Sequence, residues 1–331
     1  MNNGCQRVLL TGGAGFIGSH LAEALLRRGF QLVVVDNLDC FYPPARKKAN
    51  LAAIRRLGNY EFHAVDICDM EQLRSVMSAT RPEVVIHLAA RAGVRPSIQQ
   101  PCLYEHVNIA GTLNLLELCR QLRINRFIFG SSSSVYGATS QAPFSENQDN
   151  LRPISPYAAT KLAAEMLGYT YAHLFGLPVI CLRFFTVYGP RQRPDLAIYK
   201  FTALIEAGKP VPIFGDASSA RDYTYAEDIV NGVVAALHYD LSSASGSAPF
   251  DIFNLGNSHP VKLATLVDLL EDVTGHRVIR DYRPPEPGDV PLTWADISKA
   301  SRLLGYEPAV RLEQGLTNFV NWYRANCSSH S

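Results

Sequence analysis

Residues 7–26 read RVLLTGGAGFIGSHLAEALL, and this stretch decides the fold. An apolar run at its start is followed by Gly12, Gly15 and Gly18, and then by apolar residues at helical spacing. Between a first strand and a first helix, glycines at this spacing predict a tight turn that lets a pyrophosphate approach the backbone, with the N–H groups of the helix N-terminus facing it. The alternative, that they are ordinary turn glycines, fits this context less well.

Two acidic residues follow the next two predicted strands. Asp36 ends QLVVVD, about 20 residues beyond the glycines, where a carboxylate accepts hydrogen bonds from a ribose diol and repels a 2′-phosphate. This position favours NAD over NADP, although Asp36 could instead merely end a strand. Asp66 follows the third strand and could accept a hydrogen bond from the adenine amino group.

The remaining first half of the chain alternates in the same way. Apolar runs near 7–10, 31–35, 61–65, 83–88, 126–129 and 178–185 are separated by segments with helical spacing. This alternation predicts a doubly wound α/β fold of Rossmann type, with a parallel sheet and helices on both faces. After residue 186 the elements shorten, so we expect a first domain over 1–185, with a return segment near 222–257, and a smaller α/β domain over 186–331.

Composition excludes several classes of protein. The 331 residues carry 31 basic and 30 acidic side chains, so no broad basic field is present to hold a nucleic acid. No apolar run reaches the roughly 18 residues that a membrane span needs. Seven widely spaced cysteines without a CxxC pair, and nine histidines without an HExxH pair, predict neither a disulfide framework nor a metal site. With no leader-like pattern at the start, we expect a cytoplasmic protein.

A second chemical pattern lies at 155–165, which reads SPYAATKLAAE. Ser155 is suited to cap a helix and Pro156 to its first turn, so Tyr157 and Lys161 share one face. A nearby ammonium and the helix N-terminus favour the phenolate, which makes Tyr157 a candidate general base. Such a pair is common on solvated helices, and the glycine-rich turn is what favours the catalytic interpretation here.

The third catalytic candidate is Ser132, in GSSSSVYG at 130–137. This segment directly follows the fifth predicted strand, so its hydroxyls are expected at the carboxyl end of the sheet, where doubly wound folds bind ligands. A serine-rich segment is otherwise most often only a loop.

Six ordered motifs, TGGAGFIGSH, HLAARAG, SSSSVYG, YAATK, LRFFTVYGP and RDYTYAEDI, resemble the extended short-chain dehydrogenase/reductase family, specifically its nucleotide-sugar epimerases and dehydratases. The resemblance covers nearly the entire chain. It implies that the first domain retains NAD, that the second binds a nucleotide sugar, that Ser132, Tyr157 and Lys161 form a triad, and that the protein is a homodimer. The further NAD contacts that it implies fall on Phe16, Ile17, Asn37, Ile67, Leu88, Ala89, Ala90 and Asn108.

The residues after Ser132 discriminate between reactions. Dehydratases that resemble this chain carry acidic residues where Ser133 and Ser134 stand, and decarboxylating relatives carry a glutamate at Ser134. Without that extra acid or base, elimination and decarboxylation lose a proton-transfer group, whereas 4-epimerisation needs one base and a reversible hydride transfer. The sequence therefore favours a 4-epimerase.

Three longer stretches, at 92–101, 183–201 and 288–308, look most like UDP-glucuronate 4-epimerases, which implies conversion of UDP-glucuronate to UDP-galacturonate through a 4-keto intermediate. A planar guanidinium and clustered hydroxyls suit the extra C6 carboxylate of this sugar. By resemblance, the candidates for the carboxylate are Ser133, Thr186, Arg193 and, more loosely, Arg95, and those for the nucleotide are Arg221 and Asp289. The family usually carries an arginine in this region. Arg283 is offset from that position, and Glu286 lies nearer to it.

Other interpretations stay open at this point. A UDP-glucose 4-epimerase is the first alternative, a nucleotide-sugar dehydratase or decarboxylase is a weaker one, and a non-catalytic NAD-binding regulator is the rival from another class. The oligomeric state and the pathway are not encoded in these patterns.

Overall fold

A computed structural model describes residues 6–138, 141–243, 248–284 and 290–327. Its strands are β1 (Arg7–Thr11), β2 (Gln31–Val35), β3 (Glu61–His63), β4 (Val84–His87), β5 (Arg126–Ser132), β6 (Val179–Phe184), β7 (Thr186–Tyr188), β8 (Val211–Phe214), β9 (Ala220–Tyr225), β10 (Phe250–Leu255), β11 (Pro260–Lys262) and β12 (Arg280–Arg283). Its α-helices are α1 (Phe16–Arg27), α2 (Pro44–Arg55), α3 (Met70–Thr80), α4 (Val94–Gln99), α5 (Pro101–Glu105), α6 (Gly111–Gln121), α7 (Pro156–Phe175), α8 (Ala197–Glu206), α9 (Ala226–His238), α10 (Leu263–Thr274), α11 (Ser298–Leu304) and α12 (Leu312–Cys327). None of these helices is long and apolar enough to cross a membrane.

Seven strands form one parallel sheet in the order β10-β6-β5-β4-β1-β2-β3. Its central strands are buried along almost their whole length because both faces of the sheet are covered, and Leu9 and Leu10 at successive positions are both fully buried. One core lies against α1 and α9, and the other against α3, α6 and α7. This is the predicted Rossmann-type fold, and the prediction is confirmed.

The seventh strand comes from far along the chain. β10 pairs in parallel with β6, from Phe250 opposite Val179 to Leu255 opposite Phe184. Helix α9 also packs on the first half of the chain, since Ile229 and Val233 share a core with residues of α1. Both elements overlap the expected return segment at 222–257. The division of the chain at residue 185 stays a prediction.

The remaining elements form a second core. β7 pairs in parallel with β9, β11 pairs antiparallel with β9, and β8 pairs in parallel with β12. Helices α8, α10 and α12 close over these short sheets, and Ile198, Leu266, Leu316 and Phe319 are buried between them. These elements lie at the carboxyl ends of the strands of the large sheet, since Thr186 in β7 and Arg221 in β9 line one cavity with Ser133, which follows β5.

A buried carboxylate joins three parts of this second region. Asp222 in β9 is fully buried and accepts hydrogen bonds from the backbone N–H groups of Asn257 (2.7 Å), Ser258 (2.9 Å) and Ala295 (3.0 Å). Burial raises the pKa of Asp222, and these hydrogen bonds oppose the rise. The carboxylate therefore fixes the segments that flank β11 and that lead into α11.

Replacing Asp222 with alanine leaves one buried and two partly buried backbone amides without an acceptor. Because each such amide costs about 1–3 kcal/mol, we expect the free energy of unfolding to fall by about 3 kcal/mol or more. Urea unfolding followed by circular dichroism measures this change. The control is Asp216→Ala, which removes an exposed carboxylate that bonds only to Ser218 among its described partners and should cost about 0.5 kcal/mol. Equal losses in the two variants would contradict the bracing role of Asp222.

Candidate active site

The glycine-rich turn between β1 and α1 leaves no room for side chains. Gly12 has φ +71°, and a Cβ on it would lie 2.7 Å from the backbone nitrogen of Ala89 at the end of β4. A Cβ on Gly18 would lie 2.1 Å from the carbonyl oxygen of Gly12. The turn therefore closes tightly on the sheet, as a backbone cradle for a pyrophosphate requires.

A cavity of about 310 Å³ opens above this turn, at the carboxyl ends of β1, β2, β4 and β5. All but one of the residues proposed to contact the dinucleotide line it: Gly12, Gly15, Phe16, Ile17, Gly18, Asp36, Asn37, Asp66, Ile67, Leu88, Ala89, Ala90, Tyr157 and Lys161. The exception is Asn108, which is buried in a π-helical turn and bonds to the backbone of Arg91 (2.8 and 3.0 Å) and to Thr160 (3.0 Å). Asn108 therefore does not line the cavity but holds the backbone of Arg91, which does, against α7.

Asp36 lies at the end of the cavity next to α1. Its carboxylate accepts hydrogen bonds from the backbone N–H groups of Ala14 (3.2 Å) and Leu38 (2.8 Å). The ammonium of Lys47 in α2 lies 3.4 Å from the same carboxylate, and both side chains are buried. Sequence reasoning missed Lys47, because a lysine within RKK on a helix reads as a solvated charge.

Asp66 and Asn37 are joined directly, since the Asn37 amide donates to Asp66 at 2.8 Å. Burial alone would raise the pKa of Asp66, but hydrogen bonds from the Cys68 backbone and from Asn37 outweigh it and hold the pKa below its usual value. The carboxylate is therefore ionised at neutral pH. It can act as an acceptor for an amino group placed in the cavity.

Lys161 lies deep in α7, which Ser155 caps by accepting a hydrogen bond from the N–H of Ala158 at 3.2 Å. The Lys161 ammonium is buried, donates to the carbonyl of Gly130 at 2.8 Å and lies over the Phe129 ring. Burial lowers the pKa of Lys161 to about 7, against the opposing charge of Glu165. Its protonation is therefore finely balanced near neutral pH.

Tyr157 is one helical turn before Lys161, and its hydroxyl lies close enough to Ser132 for that side chain to act on its pKa. Burial raises the pKa of Tyr157, and the hydrogen bond to Ser132 and the positive charge of Arg193 oppose that rise. The Lys161 ammonium is directed at the carbonyl of Gly130. That Lys161 also lowers the pKa of Tyr157 stays a prediction, and the charge that opposes the rise here is that of Arg193.

An aromatic neighbour of Tyr157 was also missed by sequence reasoning. The Tyr104 ring packs edge-to-face on Tyr157, with centroids 6.2 Å apart, and its hydroxyl donates to the Ala92 carbonyl at 3.0 Å. Tyr104 is buried and limits the positions open to the Tyr157 ring. No motif marks it, since it is a lone tyrosine in a short helix.

Arg193 lines the same cavity as Tyr157. Its guanidinium forms a two-pronged ion pair with Asp195 (2.7 and 2.9 Å) and lies over the Phe41 ring. The loop that carries it is fastened to α1, where His20 bonds to the Pro190 carbonyl at 2.8 Å. Arg193 is thus a fixed positive charge at the tyrosine end of the cavity.

A second cavity of about 150 Å³ begins beside the serine segment. It brings together Ser133, Thr186 and Arg221, three of the residues predicted to bind substrate, with Thr293 as an additional hydroxyl. Ser132 lies between the two cavities along the chain, since Ser131 borders the first, together with Tyr157, and Ser133 borders the second.

The other predicted substrate residues are placed differently. Arg95 is not among the lining residues of either cavity, and its guanidinium lies over the Phe214 ring at 4.9 Å. Asp289 lies outside the described residues, as does Glu286. Arg283 is half-exposed in β12 and pairs with Asp281 at 2.7 Å.

The described part of the chain contains no group of three histidine, cysteine or acidic side chains arranged to hold a metal ion. His87, at the end of β4, is buried between the hydroxyls of Thr11 (2.7 Å) and Thr112 (3.0 Å). Burial, with a smaller contribution from the charge of Lys161, lowers the pKa of His87 to about 3, so this ring is neutral.

The sequence pattern of the GDP-mannose 4,6-dehydratase family matches residues 9–319, nearly the whole chain. The chain belongs to the GDP-mannose 4,6-dehydratase family. Among curated members of this family, a UDP-glucuronate 4-epimerase of Thermodesulfobacterium geofontis is 42% identical over 319 residues, which cover 96% of each chain. The expected membership of the extended short-chain dehydrogenase/reductases is confirmed.

Solved structures in this family agree with the fold. A UDP-glucuronic acid 4-epimerase from Bacillus cereus, in complex with UDP-glucuronic acid and NAD, is 37% identical with a TM-score of 0.89, over 97% of this chain and 99% of that one. A UDP-glucose 4-epimerase from Thermotoga maritima with UDP-glucose is 35% identical with a TM-score of 0.88, over the same shares. Relatives with either sugar therefore share the backbone arrangement described above.

Replacing Arg193 with methionine removes the positive charge that opposes the raised pKa of Tyr157. The pKa of Tyr157 should then rise further, so a base that must lose its proton works only at higher pH. We expect the acid limb of the kcat/KM profile to move to higher pH. Turnover of UDP-glucose is the measurement, because this sugar has no carboxylate for Arg193 to bind.

The matched control for this experiment is Arg280→Met, which removes an exposed arginine that is also paired with an aspartate. Its profile should coincide with that of the unmodified protein. An acid limb that stays in place in the Arg193 variant would show that this charge does not act on the base.

Proposed function

We propose that this protein is an NAD-dependent UDP-sugar 4-epimerase that prefers UDP-glucuronate and converts it to UDP-galacturonate through a 4-keto intermediate. The observation that carries the proposal is the position of the Ser132–Tyr157 pair between two cavities. One cavity is lined by the glycine turn and Asp36, and the other by Ser133, Thr186 and Arg221. A proton-transfer group at this junction can reach a sugar held in one cavity beside a dinucleotide held in the other.

The first cavity fits NAD. Gly12, Gly15 and Gly18 would hold the pyrophosphate, Asp36 the adenosine ribose, and Asp66 the adenine. When bound, NAD supplies a reversible acceptor for the hydride that leaves C4 of the sugar. We propose that residues 1–185 hold this cofactor and that residues 186–331 mainly hold the nucleotide sugar.

The residues of this chain carry the remaining steps. Tyr157 accepts the proton of the C4 hydroxyl, and Ser132 bridges the two oxygens by hydrogen bonds. Lys161, fixed on Gly130, orients the ribose next to the reacting carbon. Arg221 would hold the diphosphate while the 4-keto sugar turns over. The opposite face of C4 then takes back the hydride and Tyr157 returns its proton to the C4 oxygen, which leaves C4 inverted.

The absence of a carboxylate in the serine segment supports epimerisation. Ser133 and Ser134 offer hydroxyls only, and Ser134 donates to Ser132 at 2.9 Å. Elimination of water or loss of carbon dioxide needs a further acid or base at this place. Tyr157 lies beside Ser132 and lines the same cavity as Lys161, which also favours an enzyme over an NAD-binding regulator without turnover.

UDP-glucose is the second candidate substrate, and one contact favours it. The Arg193 guanidinium, which is proposed to bind the C6 carboxylate together with Ser133 and Thr186, is already paired with Asp195. A glucuronate carboxylate must share that guanidinium with the aspartate, whereas a neutral sugar makes no such demand. The Thermotoga maritima relative with UDP-glucose shows that the same fold serves a neutral sugar.

The central experiment incubates the purified protein with UDP-glucuronate and follows the H4 couplings of the sugar by NMR. We expect UDP-galacturonate to appear, and a Tyr157→Phe variant to lose activity by about 100-fold or more because proton transfer is removed. UDP-glucose in parallel gives the preference as a ratio of kcat/KM. Release of carbon dioxide, loss of water, or no turnover with either sugar would contradict the proposal, and full activity of Tyr157→Phe would contradict the role of the phenol.

We also propose that the protein acts in the cytoplasm as a homodimer. The described cysteines carry free thiols, which suits a reducing compartment. Met166, Tyr169 and Leu174 on α7 are 45% to 63% exposed, and Leu113 on the neighbouring α6 is 38% exposed. These side chains form an apolar face that a second copy of the same two helices would cover.

Charge placed on this face should separate the subunits. Sedimentation of the unmodified protein is expected to give twice the chain mass of 36.5 kDa, and Tyr169→Glu should shift it to the monomer because a buried carboxylate without a partner is costly. Ile279→Glu changes an equally exposed apolar residue away from α6 and α7, and should leave the dimer intact. A monomeric unmodified protein would contradict the proposal.

A further inference from the structure

A buried ion pair lies directly behind the proposed triad. Glu165 in α7 has no exposed surface, and its carboxylate accepts two hydrogen bonds from Arg183 in β6, at 2.8 and 3.0 Å. The same carboxylate accepts a third from the hydroxyl of Ser131 in β5, at 2.5 Å. One side chain therefore ties the helix to two neighbouring strands.

The position of Ser131 gives this link its consequence. The residue before it, Gly130, supplies the carbonyl that holds the Lys161 ammonium at 2.8 Å, and the residue after it, Ser132, lies beside Tyr157 and acts on its pKa. Gly130 and Ser132 lie directly before and after Ser131 in the same strand. The one hydrogen bond at Ser131 therefore fixes the position of both neighbours relative to α7. Arg183 lies opposite Ser131 in the β5–β6 register and fixes the strand pair at the same level.

We propose that Glu165 is a positioning residue, which through Ser131 and Arg183 sets α7 against the end of β5 and so keeps Lys161 on Gly130 and Tyr157 on Ser132. The proposal concerns the geometry of these contacts. Its catalytic consequence rests on the proposed 4-epimerase function, while the contacts themselves exist without substrate.

Glu165 also acts on the charge of Lys161. Its negative charge opposes the lowering of the Lys161 pKa by burial. The other titratable groups facing Lys161 are Cys181 on β6, whose thiol is kept neutral by a pKa raised well above 9, and His87 on β4, whose ring is neutral. Removing the carboxylate charge therefore lowers the pKa of Lys161, and the lysine loses its proton at a lower pH.

Two variants separate the link from the charge. Ser131→Ala breaks the bond to β5 and leaves the ion pair in place, whereas Glu165→Gln keeps the shape and removes the charge. In Ser131→Ala we expect kcat to fall about tenfold or more, because displaced groups react slowly, with KM for the UDP-sugar changed by less than about threefold. In Glu165→Gln we expect the same loss and, in addition, an alkaline limb of the kcat profile that moves to lower pH.

Hydrogen exchange followed by mass spectrometry reads the link without any substrate. Peptides that cover residues 130–136 and 155–162 should exchange faster in Ser131→Ala than in the unmodified protein, while the glycine turn at 12–18 stays unchanged. Lys299→Gln is the control, since it breaks a partly buried ion pair with Asp251 near the start of β10, away from the carboxyl ends of the strands. It should change neither hydrogen exchange nor kcat.

The outcomes are distinct. If the unmodified protein turns over neither UDP-glucuronate nor UDP-glucose, the proposed function fails, and hydrogen exchange still decides the link. Folded Ser131→Ala with normal exchange at 130–136 and kcat within about twofold of the unmodified protein would overturn the proposal. Should Glu165→Gln fail to fold, because Arg183 is left buried without its partner, Ser131→Ala carries the test alone.

Discussion

The parallel pairing of seven strands forces every strand of the large sheet to end at the same edge. The glycine turn after β1, Asp36 after β2 and Ser132 at the end of β5 are remote from one another in sequence and adjacent in space for this reason alone. The return of β10 to β6 completes the sheet and holds the second core over that edge. The first cavity lies at this edge with Arg193 reaching into it, and the second is formed where Thr186 and Arg221 meet Ser133.

Burial sets the chemical problem at this edge. It raises the pKa of Tyr157 and lowers that of Lys161 to about 7, so it favours the neutral form of both groups. A charged phenolate–ammonium site therefore depends on groups around it. Arg193 favours the phenolate from the cavity, and Glu165 favours the ammonium from the core. Arg193 and Glu165 each have an ion-pair partner that keeps them in place, Asp195 for Arg193 and Arg183 for Glu165.

The sequence predicted those parts of the molecule that local patterns determine. The alternation of strands and helices predicted the sheet, the glycine spacing predicted the cavity, and the Tyr-x-x-x-Lys spacing placed Tyr157 and Lys161 on one helix face. Each of these patterns is local to one turn, strand or helix. Lys47, Tyr104 and Glu165 could not be recognised, since each acts through a contact with another element. The same holds for Arg95, which packs on Phe214, and for the cation that acts on Tyr157, which comes from a loop 36 residues further along the chain.

The position of Arg193 connects substrate choice with the strength of the base. A C6 carboxylate bound to this guanidinium gains a charge-assisted hydrogen bond, but it also cancels part of the positive charge that favours the Tyr157 phenolate. A neutral sugar forgoes the binding and leaves that charge available. In the proposed complex, UDP-glucuronate would therefore bind more tightly while Tyr157 becomes a weaker base, and UDP-glucose would have the opposite effects. Asp195, which already holds the guanidinium, sets the balance between these two effects, and a change at Asp195 is therefore expected to alter substrate preference more than fold.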